Sequence, residues 1–87
     1  MNNTERSVFG LLCERFDVDT NALCDVNLDI PITGKTIGMS DIDMVWFLYE
    51  IEKEFSIHIT ERELKERKLM TVRQAAHLID QHFKDIN

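Results

Sequence analysis

Apolar residues recur at helical spacing in the first part of the chain. The spacing predicts a helix from Thr4 to Phe16, and Asn3 or Thr4 can cap its first turn with a side-chain oxygen. The residues expected to face the core are Val8, Phe9, Leu11, Leu12 and Phe16. Gly10 costs this helix about 1 kcal/mol relative to alanine, so packing against other elements has to stabilise it.

Three further helices are indicated by start signals as well as by periodicity. Ser40, Thr60 and Thr71 are each followed, three positions later, by an aspartate, glutamate or glutamine, which is the spacing of a capping box. We therefore expect a second helix from Ser40 to about Phe55, a short polar third helix from Thr60, and a last helix from Thr71 to about Asp85. The last helix is expected to bury Val72, Ala75, Ala76, Ile79 and Phe83.

The connection between the first two helices, residues 17 to 39, has neither helical nor strand periodicity. It is long for a loop in a small domain, and it can be ordered if its aliphatic residues cross the core. These residues are Leu23, Val26, Leu28, Ile30, Ile32 and Ile37. A short hairpin centred on Thr33–Gly34–Lys35 is the alternative. The sequence thus predicts an all-α four-helix bundle in a single domain, residues 1–87, with a long first loop and a short third helix.

The second helix carries apolar side chains on two opposite faces. At about 100° per residue, one face has the width of an ordinary core stripe and contains Met44, Phe47, Leu48, Ile51 and Phe55. The opposite face contains Ile42, Val45, Trp46 and Tyr49. Few residues remain to cover this second face, so we expect it to be partly exposed. The alternative is burial beneath the long loop and the third helix.

An exposed face of this composition is typical of a protein interface, because Trp and Tyr often lie at the energetic centre of interfaces. Acidic residues flank it, and they favour a partner with a basic and apolar patch. The residues expected to bind a partner are Ile42, Asp43, Val45, Trp46, Tyr49, Glu50 and Glu52. We expect a monomer when the chain is alone; a homodimer formed through the apolar face is the alternative.

Composition and charge restrict the setting and the partner. Apolar residues make up 44% of the chain and charged residues 30%, which fits a folded soluble protein. The net charge of −6 disfavours nucleic acid, whose phosphates would repel it. The chain contains no run of about 20 apolar residues and no secretion signal at its start, so we expect a cytoplasmic protein that does not enter membranes.

Catalytic and metal-binding chemistry find little support in the residue pattern. Cys13 and Cys24 are expected to be reduced and partly buried. The three histidines, His58, His77 and His82, lack the spacing of a zinc site. No motif places a nucleophile beside a base. We therefore expect neither an enzyme nor a metal site.

Several stretches resemble the acyl carrier proteins: "GMSDIDMV" at the start of the second helix, "EKEFSIHI" at its end, and "TVRQAAHLI" in the last helix. The resemblance extends from about Thr4 to Phe83. The longer stretch "IPITGKTIGMSDIDMVWFLYEIEKEF" is similar to small acyl-carrier-related proteins of bacterial peptide-maturation systems. The resemblance implies an acyl-carrier-like four-helix bundle and a biosynthetic or peptide-maturation enzyme as partner.

Carrier proteins of that family bear 4′-phosphopantetheine on the serine of an Asp-Ser-Leu motif. Aligned without gaps, Ser40 falls on the aspartate, Asp41 on the serine and Ile42 on the leucine. A carboxylate cannot accept the arm as a hydroxyl does. The resemblance therefore implies a carrier-like binding module without a cofactor. A working acyl or peptidyl carrier with 4′-phosphopantetheine on Ser40 is the alternative.

Trp46 also departs from the family pattern. It stands where the family has a polar or acidic residue, so the docking helix is more apolar here. This change suggests a different or more permanent partner than the family's usual enzymes.

Overall fold

The structure, a computed structural model, describes residues 1–19 and 28–86, with side chains described as far as residue 84. Its helices are α1 (Asn3–Arg15), α2 (Asp41–Phe55), α3 (Glu61–Lys65) and α4 (Val72–Ile86), and α3 continues into a 3-10 turn at Glu66–Leu69. Within the described ranges there is no strand, and the single bridge joins Pro31 to Thr71. The all-α prediction with a short third helix is confirmed.

The three predicted capping boxes are present. Ser40 Oγ accepts the Asp43 N–H at 3.1 Å, and Thr60 Oγ1 accepts the Glu63 N–H at 3.1 Å. In the third box the Thr71 side chain accepts from the Gln74 backbone at 3.1 Å, and the Gln74 side chain accepts in return at 3.0 Å. These caps set where α2, α3 and α4 begin, because each satisfies backbone donors that the helix itself cannot.

The predicted cap of α1 is wrong. The helix begins one residue earlier than expected and is capped by Asn2, whose side chain accepts the Glu5 N–H at 2.8 Å. The Glu5 carboxylate accepts the Asn2 N–H at 2.8 Å and is itself buried. Neither Asn3 nor Thr4 has a glutamate or glutamine three positions later, so only Asn2 can close a complete box.

The core lies where α1, α2 and α4 meet. The fully buried face of α2 is the one that its spacing predicts, with Phe55 half-buried at its end. The side chains buried around it from the two other helices are Val8, Leu11, Leu12, Val72, Ala75, Ala76 and Ile79. Phe83 is an exception to the prediction, since 42% of it is exposed. It lies near the end of α4, and its ring packs edge to face with Phe55, with ring centroids 6.4 Å apart.

The described part of the first connection is anchored across the core. Leu28 and Ile32 are buried, as predicted, and Ile30 and Ile37 are half-buried. Leu23 and Val26 lie outside the described residues. The hairpin alternative is wrong in residues 28–39, because Ile32 N–H donates to Met70 O at 2.9 Å instead of to a neighbouring strand.

None of the helices in residues 1–19 and 28–86 has both the length and the apolar character needed to cross a membrane.

Candidate functional site

The exposed face of α2 carries a continuous apolar stripe. Trp46 is 59% exposed, Tyr49 53% and Ile42 70%, while Val45 is exposed to a lesser degree. The two aromatic rings contact each other edge to face, with centroids 6.2 Å apart and planes at 80°. The predicted exposure of this face is confirmed. It arises because the opposite face of α2 occupies the core, which leaves Ile42, Trp46 and Tyr49 mostly accessible among the described residues.

An apolar groove runs beside this stripe, between α2 and the start of α3. It has a volume of about 420 Å³ and is lined by Val45, Trp46, Leu48, Tyr49, Glu52, Ile59 and Leu64. Ile59 and Leu64 are not among the site residues predicted from the sequence. Leu64 is the one aliphatic residue of an otherwise charged helix. That contrast is the sequence signal from which a buried or ligand-facing position could have been inferred. We call this feature the groove.

The acidic residues that flank the stripe are already bound within the chain. Glu50 Oε2 lies 2.6 Å from Arg15 Nη1 on α1, and Glu52 Oε2 accepts the Ile59 N–H at 2.8 Å. Asp43 closes the capping box with Ser40. The structure therefore brings the predicted acidic residues to the flanks of the stripe. Their carboxylates, however, bind other groups of the same chain and stabilise its fold.

Cations lie on or beside the stripe, which the sequence analysis also missed. Lys53 follows Tyr49 by four positions, so it shares the exposed face, and its Nζ is 5.9 Å from the centre of the Tyr49 ring. At the other end of α2, a polar pocket of about 490 Å³ is lined by Thr33, Asp41, Lys65, Arg67 and Lys68. We call this pocket the basic end.

The basic end and the groove are formed in part by neighbouring residues of the same two helices. Asp41 lies one helical turn before Val45 on the same side of α2, and Lys65 follows Leu64 on α3. Arg67 joins the two helices, because its Nη2 lies 2.9 Å from Asp41 Oδ2 and its Nη1 donates to Leu64 O at 2.9 Å. The stripe therefore has cationic side chains near both ends and apolar side chains between them.

The first turn of α2 offers two different groups at the position where the resemblance implies a cofactor. Asp41 presents a carboxylate that is paired with Arg67. Ser40 is exposed, and its hydroxyl oxygen accepts the Asp43 N–H as the helix cap. A hydroxyl is thus present one position before the place where the family's serine falls. The oxygen of that hydroxyl already accepts a backbone hydrogen bond.

Of the two cysteines, Cys13 lies in the described part of the chain. Cys13 is half-buried against the core, and burial, with the nearby charges of Asp19 and Glu14, raises the pKa of its thiol. A raised pKa keeps the thiol protonated and weakly nucleophilic at neutral pH. Cys24 lies outside the described residues. No three potential metal ligands cluster in residues 1–19 and 28–86.

Comparisons with protein-family models, with curated proteins and with solved structures found nothing that matches the chain. The candidate site is thus defined by its own residues. It consists of an exposed aromatic stripe, an apolar groove beside it, and a first turn with a carboxylate held by an arginine.

Proposed function

We propose that this chain is an acyl-carrier-like binding module that docks a protein partner through α2 and carries no thioester. The observation that carries the proposal is the exposure of Trp46 and Tyr49 at the mouth of the groove. By the resemblance, the partner is a biosynthetic or peptide-maturation enzyme of the cytoplasm. The module itself supplies recognition and not catalysis.

The energetics of this face favour docking. Aromatic side chains bury about 150–250 Å² each when covered, and such residues often contribute 2 kcal/mol or more to an interface. Trp46 and Tyr49 lie on a helix whose opposite face is buried in the core, and their rings already contact each other. Because the helix backbone beneath them is already ordered, binding does not have to order it, and more of the burial appears as affinity.

Position-specific photo-crosslinking in the native host tests the docking face. A photoreactive phenylalanine analogue at Tyr49 should yield a discrete cross-linked partner, because that side chain lies at the mouth of the groove. The same analogue at Lys84, an exposed residue of α4 outside the groove, is the matched control. Identical products from both positions, or none from position 49, would contradict the proposal.

A working carrier modified on Ser40 is the second candidate, and the exposure of that hydroxyl favours it. Co-expression with a broad-specificity phosphopantetheinyl transferase, followed by mass spectrometry, separates the two candidates. We expect the unmodified mass. An increase equal to one phosphopantetheine group, mapped to Ser40 and lost in Ser40→Ala, would establish the carrier in place of the binding module.

Exchanging Ser40 and Asp41 should restore the hydroxyl that the resemblance implies at position 41. The double variant Ser40→Asp with Asp41→Ser places a hydroxyl where the resemblance implies one, and aspartate caps a helix as well as serine does. We expect it to accept the arm more readily than Asp41→Ser alone, as measured by mass spectrometry after the same co-expression. If neither variant is modified, the resemblance does not extend to recognition by the transferase.

A further inference from the structure

We propose that the partner segment bound by this face is acidic, with a large apolar side chain in the groove and carboxylates that reach Lys53 and the basic end. The inference rests on the proposed function and specifies the chemistry of the partner. The net charge of −6 favours a basic partner, whereas this inference assigns the partner segment the opposite charge. The reversal follows from where the charges lie and from which of them are already paired.

The acidic side chains near the stripe are engaged inside the chain. Glu50 bonds to Arg15, and Arg15 Nη2 also lies 3.8 Å from Glu54. Glu52 holds the backbone of Ile59 and lies 3.3 Å from His58 Nδ1. A basic partner would have to compete with these contacts, which fix α1 and the wall of the groove.

The cationic side chains are more available. Lys68 is exposed and forms no ion pair within residues 1–19 and 28–86. Lys65 Nζ lies 3.6 Å from Glu61 Oε1, in a solvent-exposed pair of the kind that contributes little. Lys53 is 62% exposed and 3.9 Å from Glu50. The basic end sets three cations against the single carboxylate of Asp41.

Salt screening makes these local charges decisive. At physiological ionic strength the Debye length is about 8 Å, so acidic residues on distant faces contribute little to a segment that lies along the stripe. The exposed cations beside such a segment are Lys53, Lys65 and Lys68. Glu52, which lines the groove, is half-buried, and its carboxylate accepts the Ile59 N–H. An acidic segment with an apolar anchor therefore complements both the shape and the charge of the surface.

A second copy of this chain does not fit the same surface. In a two-fold interface, the same residues of both copies contact one another reciprocally. In an antiparallel pair of α2 helices, Lys53 of one copy would lie near Lys65 and Lys68 of the other. The carboxylates at that end, Asp41 and Asp43, are already bound to Arg67 and to the Ser40 cap. Like charges in contact disfavour this arrangement, so the occupant is a different protein.

Selection from a random dodecapeptide library on the immobilised chain tests the inference directly. We expect enrichment of peptides in which Asp or Glu flanks Trp, Phe or Leu, and weaker binding of these peptides as salt is added. Enrichment should disappear on the double variant Trp46→Ser with Tyr49→Ser, whose folding is checked by circular dichroism.

Charge reversal identifies the cations involved. Titration calorimetry with the enriched peptide should show about tenfold weaker binding to the variant Lys65→Glu with Lys68→Glu. The matched control, Arg6→Glu with Lys84→Glu, changes the net charge equally at residues outside the groove and the basic end. Its affinity should stay within about twofold of the unaltered chain.

The outcomes separate this inference from the proposed function. Enriched peptides rich in Lys or Arg that still require Trp46 would overturn the acidic partner and leave docking intact, as would equal losses in the two charge-reversed variants. No enrichment, or enrichment that survives the loss of both Trp46 and Tyr49, would overturn docking at this face as well.

Discussion

At the residue scale, the adjacent side chains Trp46 and Phe47 occupy opposite environments. Phe47 is fully buried and contacts the edge of Phe16, with ring centroids 5.8 Å apart, whereas most of Trp46 is exposed to solvent. One step of about 100° along the helix separates them. Large aromatic residues in neighbouring positions of α2 therefore serve different purposes, one in folding and the other, as we propose, in binding.

Replacing the exposed aromatic residues should leave the fold nearly unchanged. We expect the double variant Trp46→Ser with Tyr49→Ser to lose less than about 1 kcal/mol of unfolding free energy, since neither side chain fills the core. The matched variant Phe47→Ala should lose about 3–5 kcal/mol by opening a cavity. Urea denaturation followed by circular dichroism measures both. An unfolded double variant would mean that the stripe belongs to the core and not to an interface.

At the scale of the elements, α3 is the helix that depends most on polar contacts. It has five residues and none of them is buried. Its start is fixed by the box between Thr60 and Glu63, and Glu63 also reaches α4, where its Oε1 lies 3.0 Å from His82 Nε2. Because α3 forms one wall of the groove, these contacts also set the width of the binding face.

The stability of α3 should therefore depend on pH and should fall in acid. Burial tends to raise the pKa of Glu63, but hydrogen bonds from Thr60 and His82 outweigh it and lower that pKa. A lowered pKa in the folded state means that the contribution is complete above the unfolded value of about 4.3 and is lost as the pH falls through the folded value.

Glu63→Gln isolates this contribution, because glutamine can still close the capping box. We expect the unaltered chain to lose more stability than the variant between about pH 5 and pH 2, as measured by urea denaturation at fixed pH values. Parallel curves for the two proteins would show that another carboxylate controls the acid transition.

The elements were predictable from the sequence wherever local signals determine them. The boxes at Ser40, Thr60 and Thr71 fixed three helix starts, and the spacing along α2 fixed its buried face. The missed cap at Asn2 was also local, since Glu5 three positions later signals it. The hairpin alternative failed for a different reason, because the Ile32 N–H donates to Met70 O, far along the chain, and residues 28–39 form no strand.

The candidate site was predictable only in its apolar half. The helical spacing of α2 identified the stripe, including its exposure. It could not show that Arg15 and the backbone of Ile59 bind the flanking acids, or that Arg67 crosses to Asp41, because these partners come from other elements. The charge of the face therefore depended on tertiary contacts, and there the sequence-based expectation and the structure diverge most.

At the scale of the whole molecule, the chain is compact. The Cα radius of gyration is 11.9 Å, and about 12 Å is expected of a folded chain of this length. The core takes apolar side chains from α1, α2 and α4, whereas the stripe on α2 is apolar surface that folding leaves accessible. Its two ends carry Lys53 and the basic end, which disfavours pairing between copies.

Sedimentation should accordingly find a monomer. We expect a mass near 10.2 kDa across a wide range of protein concentrations at physiological ionic strength, because self-pairing would bring like charges together. The variant Lys53→Ala, which removes one of the repelling positive charges, should still have the monomer mass at low protein concentration. A mass that rises with concentration and returns to the monomer in Trp46→Ser would instead assign the stripe to a homodimer.

The position of Trp46 has a practical consequence for optical experiments. It is the single tryptophan of the chain, and its indole lies in solvent beside Tyr49 instead of in the core. Its intrinsic fluorescence should therefore emit as a hydrated indole in the native state and change little when the chain unfolds. A blue shift of that emission on adding another molecule would report coverage of this one face, without any attached dye.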